Sequence, residues 1–222
     1  MTRTVLAVLA ALVVAAPAAG VSRGAHDPQK RLNARDQAKA RSFLLRPADL
    51  GSSWTSTPAP HAGDGGDLSC AGFDPDLSDL VETGDVQSRL FVHATASTSS
   101  TVFSTGTVYA NARMAGAAWN RVIRPELVRC LSTLLEGTST AGVGFKTVSS
   151  GRLDFPHVAP RTAAFRLAVE AKALGATVRF YLDLIALGSG RLEAGIFAVS
   201  LRRPLDESLE RSLARAVARR LR

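Results

Sequence analysis

The stretch from Thr162 to Leu201 constrains the fold more than any other part of the chain. Phe165, Leu167, Val169 and Ala171 alternate with Ala164, Arg166, Ala168 and Glu170. After a break at Leu174-Gly175, Val178, Phe180, Leu182 and Leu184 alternate with Arg179, Tyr181 and Asp183. A third run follows Gly188-Ser189-Gly190 and extends from Leu192 to Leu201. Period-two alternation of this length, punctuated by glycine-containing breaks, predicts a three-stranded meander. Links so short force antiparallel pairing, because a parallel crossover takes about a dozen residues or more. The charges fall on one side of the alternation, so one face is expected to be wet and the other covered by helices.

The remaining elements read as cover or extension for that sheet. Arg89 to Thr95 and Thr101 to Tyr109 are rich in Thr, Val and Phe and predict a second hairpin. Asn111 is placed to cap a helix whose buried stripe is Met114, Ala118, Trp119 and Val122. Pro125 breaks that helix or restarts it, and Leu127, Cys130, Leu131 and Leu134 continue the apolar face to Gly137. A further strand is expected over Thr147 to Phe155. Gln29 to Leu45 reads as a helix ended by Pro47, since the residue before a proline is pushed out of the helical region. Thr55 to Ser69 reads as a loop.

A last helix from about Pro204 to Leu221 carries Leu205, Leu209, Leu213, Ala216, Val217 and Leu221 on one stripe. Leu209 and Leu213 are expected to face the meander near Phe180 and Leu182. Arg211, Arg215 and Arg219 lie four apart on the other side, with Glu207 spaced to pair with Arg211. The class is α+β, an antiparallel sheet of two hairpin or meander units covered by helices.

Met1 to Gly20 has the parts of an export signal: Arg3, an apolar run from Val5 to Ala16, and small residues at Ala16 and Ala18. The run falls short of the roughly 20 residues that span a bilayer, so cleavage is expected in place of anchoring. The expected organisation is a signal peptide over 1–20, a disordered tail over 21–28 and a single secreted or envelope-associated domain over 29–222.

The formal net charge of +8 is unevenly placed. Ser22 to Arg41 holds six basic and two acidic residues, and Arg202 to Arg222 holds seven and three. Basicity confined to two terminal helices, with no interleaved aromatics, argues against nucleic-acid binding. Solvated helix faces are the plain expectation, and peripheral contact with an anionic surface is the alternative.

The two cysteines, Cys70 and Cys130, predict a disulfide in an exported chain. They are not in a C-x-x-C, and no histidine stands at zinc-ligand spacing. Asp74, Asp76 and Asp79 lie in an acidic stretch whose spacing is not that of an EF-hand, so a solvated loop is expected over a calcium site. Of four histidines, His26, His61 and His157 fall in expected tail or loops. His93 falls on a strand and is expected to be structural. Asp183 among apolar neighbours is a candidate acid with a raised pKa, although its place in the alternation puts it first at a wet face. Gly142-Val143-Gly144 is too short for a phosphate loop, and no G-x-S-x-G, H-E-x-x-H or P-loop is present.

Several stretches are similar in order and spacing to a known group. Leu44-Leu45-Arg46-Pro47-Ala48-Asp49-Leu50-Gly51 with Trp54, Ser69-Cys70 with Phe73-Asp74-Pro75, and Val102-Phe103 with Tyr109 come first. Ala115 to Trp119, Arg129-Cys130-Leu131, the late sheet and the C-terminal helix complete the set. On these the chain, from about Ser42 to its end, resembles the secreted, often lipid-anchored, sensor-like proteins of actinobacteria. That group is similar to the extracellular sensor domain of mycobacterial serine/threonine kinase H. The resemblance implies a ligand-sensing module with a cleft beside an antiparallel sheet. The chain departs from the group in lacking a lipid-attachment cysteine, a second cysteine pair and a kinase segment.

The expectation is therefore a non-enzymatic secreted domain, monomeric and without cofactor or metal. Its partner would be a small or lipid-like ligand or a cell-envelope component. A surface-adhering envelope protein is the second reading, and a hydrolase the third. No catalytic or ligand-binding residue is assigned from the sequence.

Overall fold

The three alternating runs form the long strands of a larger sheet. The computed structural model describes residues 26–59, 69–139, 142–173 and 176–222, and the first expected break, Leu174-Gly175, lies outside them. The strands are β1 (Gln29–Lys30), β2 (Thr55–Thr57), β3 (Val81–Gln87), β4 (Leu90–Ala94), β5 (Ser99–Tyr109), β6 (Val143–Arg152), β7 (Arg161–Ala173), β8 (Ala176–Ser189) and β9 (Leu192–Leu201). The helices are α1 (Ala34–Phe43), α2 (Pro47–Leu50), α3 (Ala112–Val122), α4 (Pro125–Gly137) and α5 (Glu207–Arg220).

The main path is β1-β3-β5-β9-β8-β7-β6. β3 and β4 share one edge of β5 end to end, and β4 carries β2. Every pairing is antiparallel except that of β1 with β3. β8 runs through Gly188 to Ser189 before turning at Gly190 and Arg191, with Gly190 at φ 54° as a two-residue hairpin requires. The fold is thus α+β as expected, with a disulfide.

Several boundaries differ from the sequence reading. The first helix begins at Ala34, not Gln29, because Gln29 and Lys30 pair with β3 and Asn33 caps the helix by accepting from the Asp36 amide. The chain is already held at His26, whose carbonyl accepts from the Leu77 amide, so the expected tail does not extend to residue 28. Residues 1–25, including the expected signal peptide, lie outside the described residues. β3 occupies the end of the acidic stretch from Asp64 to Asp85, expected to be a solvated loop, and the strand expected over Thr147 to Phe155 runs over Val143–Arg152. Asn111 does cap α3, accepting from the Met114 amide at 2.9 Å, and Pro125 opens α4.

Both faces of the sheet are covered, which corrects the expectation of one wet face. On one face α1 and α5 pack Ala40, Phe43, Leu213, Ala214, Val217 and Leu221 against Ile185, Leu187, Ile196 and Ala198. α1 comes close because β3 and β5 have glycines beneath it. A Cβ at Gly84 would lie 2.5 Å from the Asp36 carbonyl oxygen, and one at Gly106 would lie 2.6 Å from the Phe43 ring. Leu213 therefore sits on the face opposite Phe180 and Leu182, not against them.

On the other face α3 and α4 cover the sheet. Leu127, Val128 and Cys130 pack on Ala163 and Phe165, and Leu131 and Leu135 on the Leu167, Val169 and Phe180 group. Cys70 and Cys130 are bonded, tying the segment before β3 to α4 beside the buried Phe73. At the β6 edge, α4 and the turn just after it supply acceptors for outward amides. The Glu136 carboxylate accepts from the Thr147 amide at 2.8 Å, and Ser139 Oγ from the Phe145 amide at 3.1 Å.

Candidate functional site

Strand register places three contrasting rows across the face beneath α3 and α4. Directly opposed residues of an antiparallel sheet share a face. One row runs Asp85, Thr107, Glu193, Gly188, Arg161 from β3 to β7. The next is Thr105, Gly195, Ala186, Ala163, and the one after it Phe103, Phe197, Leu184, Phe165. Small side chains in the middle row leave a trough between a polar bank and an aromatic one.

The helices roof that trough without filling it. Trp119, Ile123, Leu127 and Leu131 stand over Thr105, Ala186 and Gly195 around a cleft of about 260 Å³. A volume of this order suits a ligand smaller than the usual drug-sized occupant. Gly195 is needed at the floor, since a Cβ there would lie 2.8 Å from the Phe197 ring and 2.9 Å from Thr105 Oγ1. Phe103 and Phe197 stack with centroids 4.9 Å apart and close the apolar end.

Glu193 supplies the polar end. Its Oε1 is buried, has no hydrogen-bond partner among the described residues, and lies 3.6 Å from an Arg161 guanidinium nitrogen. Arg161 lies across Gly188, where a Cβ would come within 2.5 Å of its Nε. From there it donates to the Gly190 carbonyl at 3.2 Å and stands over the Trp119 ring at 5.6 Å. Burial raises the Glu193 pKa to about 8, with Arg161 opposing and the Glu82 carboxyl adding to the rise. Glu82, opposite Tyr109 on the same face, is raised to about 7, again chiefly by burial. Burial also pushes the Tyr109 phenol well up. At neutral pH a protonated Glu193 can donate one hydrogen bond and accept another inside an otherwise apolar cleft.

Most residues singled out in the sequence lie elsewhere. Asp183 is buried on the α5 side, not at a wet face and not in the cleft. There Arg166 bonds both Asp183 and Glu210 of α5. Asp74 bonds His26 at 3.0 Å, Asp76 accepts from Ser78, and Asp79 pairs with Arg121. His93 lies beside Trp54 with ring centroids 5.4 Å apart, His157 lies before β7, and His61 is outside the described residues. Among the described residues no group of three metal-ligating side chains gathers, and no helix is long and apolar enough to cross a membrane. Glu193, Arg161 and Gly195 were not singled out. A charged residue and two glycines facing one side of β8 and β9 were the available signal.

The architecture defines an α+β domain with one disulfide and a partly roofed cleft on its sheet. No protein-family model and no curated protein sequence matches the chain. Among solved structures it is similar to the extracellular domain of PknH from Mycobacterium tuberculosis. The identity is 10%, the match covers 88% of this chain and 98% of that one, and the TM-score is 0.48.

Proposed function

We propose that the protein is an extracytoplasmic, non-enzymatic binding domain whose cleft takes a small, mainly apolar ligand with a hydrogen-bonding head against Glu193. The observation that carries this reading is the run Thr105, Gly195, Ala186, whose small side chains keep the floor open under α3 and α4. A buried carboxyl oxygen without a partner costs about 1–3 kcal/mol, a cost that a ligand hydroxyl or amide would offset. The polar side chains lining the cleft are Glu193, Thr105 and Thr107, which suit recognition. The disulfide, together with the export signal expected over residues 1–20, supports a location outside the cytoplasm.

Trp119 in the roof provides the test. With Trp54 replaced by phenylalanine, Trp119 is the remaining tryptophan. Its emission is expected to shift on titration with short-chain alcohols, amides or fatty acids. Ala186→Phe is expected to abolish the shift while the protein stays folded by circular dichroism. A panel that leaves both proteins unchanged would sink the proposal, as would an Ala186→Phe variant that still binds.

A further inference from the structure

The two basic segments of the sequence come together on the face opposite the cleft. α1 and α5 pack on the same side of the sheet, and Lys39 Nζ reaches the Arg222 carbonyl at 3.5 Å. The acidic side chains around these helices are turned inward or already engaged. Asp36 binds Arg191, Asp49 binds Arg220, Glu210 binds Arg166, and Glu207 pairs with Arg211. Past the exposed Asp206 and Glu207 at the start of α5, the charged residues fully exposed on these helices are arginines: Arg35 and Arg41 on α1, Arg215 and Arg219 on α5, with Arg222 just beyond. None of these forms an ion pair among the described residues.

We propose that this arginine face docks the protein on an anionic lipid surface, leaving the cleft turned to solution. Charge complementarity sets the sign of the partner. Two features favour a bilayer over a nucleic acid. The exposed positions between the arginines are small, Ala38 and Ser212, so no aromatic is offered to a base, as single-strand binders require. At the entry to α1, between Arg31 and Arg35 in the chain, Leu32 is 45% exposed, which suits a surface with an apolar layer beneath its headgroups. The proposal is independent of what the cleft holds.

The test is sedimentation of the exported protein with vesicles of phosphatidylcholine alone or mixed with phosphatidylglycerol. Binding to the mixed vesicles is expected at low ionic strength and should disappear at about 0.5 M salt, where screening is nearly complete. Combining Arg35→Gln, Arg41→Gln, Arg215→Gln and Arg219→Gln should weaken it, by about fivefold for each arginine removed. The pair Arg113→Gln and Arg129→Gln, exposed on α3 and α4, should leave binding unchanged. Equal affinity for neutral vesicles would overturn the proposal. So would an equal loss in the α3–α4 pair, a fourfold variant that binds like the parent, or tighter binding to duplex DNA at the same salt.

Discussion

Arg166 holds Glu210 at 3.1 Å while the same guanidinium grips Asp183, so one cation on β7 joins α5 to β8 through a buried carboxyl from each. Glu210 is raised to about 8, first by burial and then by the Asp183 charge. The folded protein keeps that proton up to about pH 8, whereas an unfolded chain releases it near 4.5. Stability contributed by the protonated form is complete below pH 4.5 and is lost as pH rises through 8. Glu82 and Glu193 titrate in the same sense. Urea unfolding is expected to show stability falling from pH 5 to pH 8, by up to about 1.4 kcal/mol per pH unit for each group. Glu210→Gln should flatten the slope. A slope of opposite sign would refute this account.

Asp36 gives the opposite response at the acid end. The Arg191 guanidinium holds its carboxyl well below the usual range, so its contribution is present above about pH 4 and lost as pH falls further. Asp36→Asn is expected to destabilise the protein at neutral pH and to change little in strong acid, measured by thermal unfolding across that range.

Leu213 is 1% exposed beneath α5. Leu213→Ala should cost about 2–5 kcal/mol, and Arg215→Ala on the exposed side no more than about 0.5. Equal effects in urea titrations would show that α5 is not docked as described.

Gly84 and Gly106 test the approach of α1. Gly84→Ala meets the Asp36 backbone oxygen at 2.5 Å, which cannot move without the helix, whereas Gly106→Ala meets the Phe43 ring first and the Ala40 carbonyl oxygen only at 3.0 Å. Both should destabilise, by about 1–3 kcal/mol, with Gly84→Ala the more costly. Melting temperatures of the two variants decide the order.

Cys70→Ser and Cys130→Ser should each lower stability by about 2–5 kcal/mol, as for native bridges of small secreted domains. Labelling of the unfolded parent without reductant should find no free thiol.

The sequence made β7, β8 and β9 readable because alternation and glycine breaks agree there. β3 was hidden because Glu82, Gly84 and Asp85 carry no strand signature. Its burial comes from α1, which precedes it by some 40 residues and packs on Gly84. The face under α5 is hidden in the sequence for a related reason. β8 has two apolar sides, Phe180, Leu182 and Leu184 on one and Ile185 and Leu187 on the other, and periodicity does not say which helix takes which. Arg166 and Asp183 read as solvent-facing until Glu210 arrives from 44 positions beyond Arg166 to share the guanidinium. Glu193 was invisible for the same cause, since a lone carboxylate on an alternating strand shows its burial only once a roof is in place.

The acceptors offered to β6 by α4 and the turn after it bear on how copies of this chain behave at high concentration. A long edge strand is normally a template on which another chain extends the hydrogen-bond ladder. Here the Thr147 and Phe145 amides are occupied by Glu136 and Ser139. An incoming strand would have to displace a carboxylate before gaining its first bonds. Fibre growth from this edge therefore starts with a penalty, and the guard sits at the C-terminal end of the helix that also roofs the cleft.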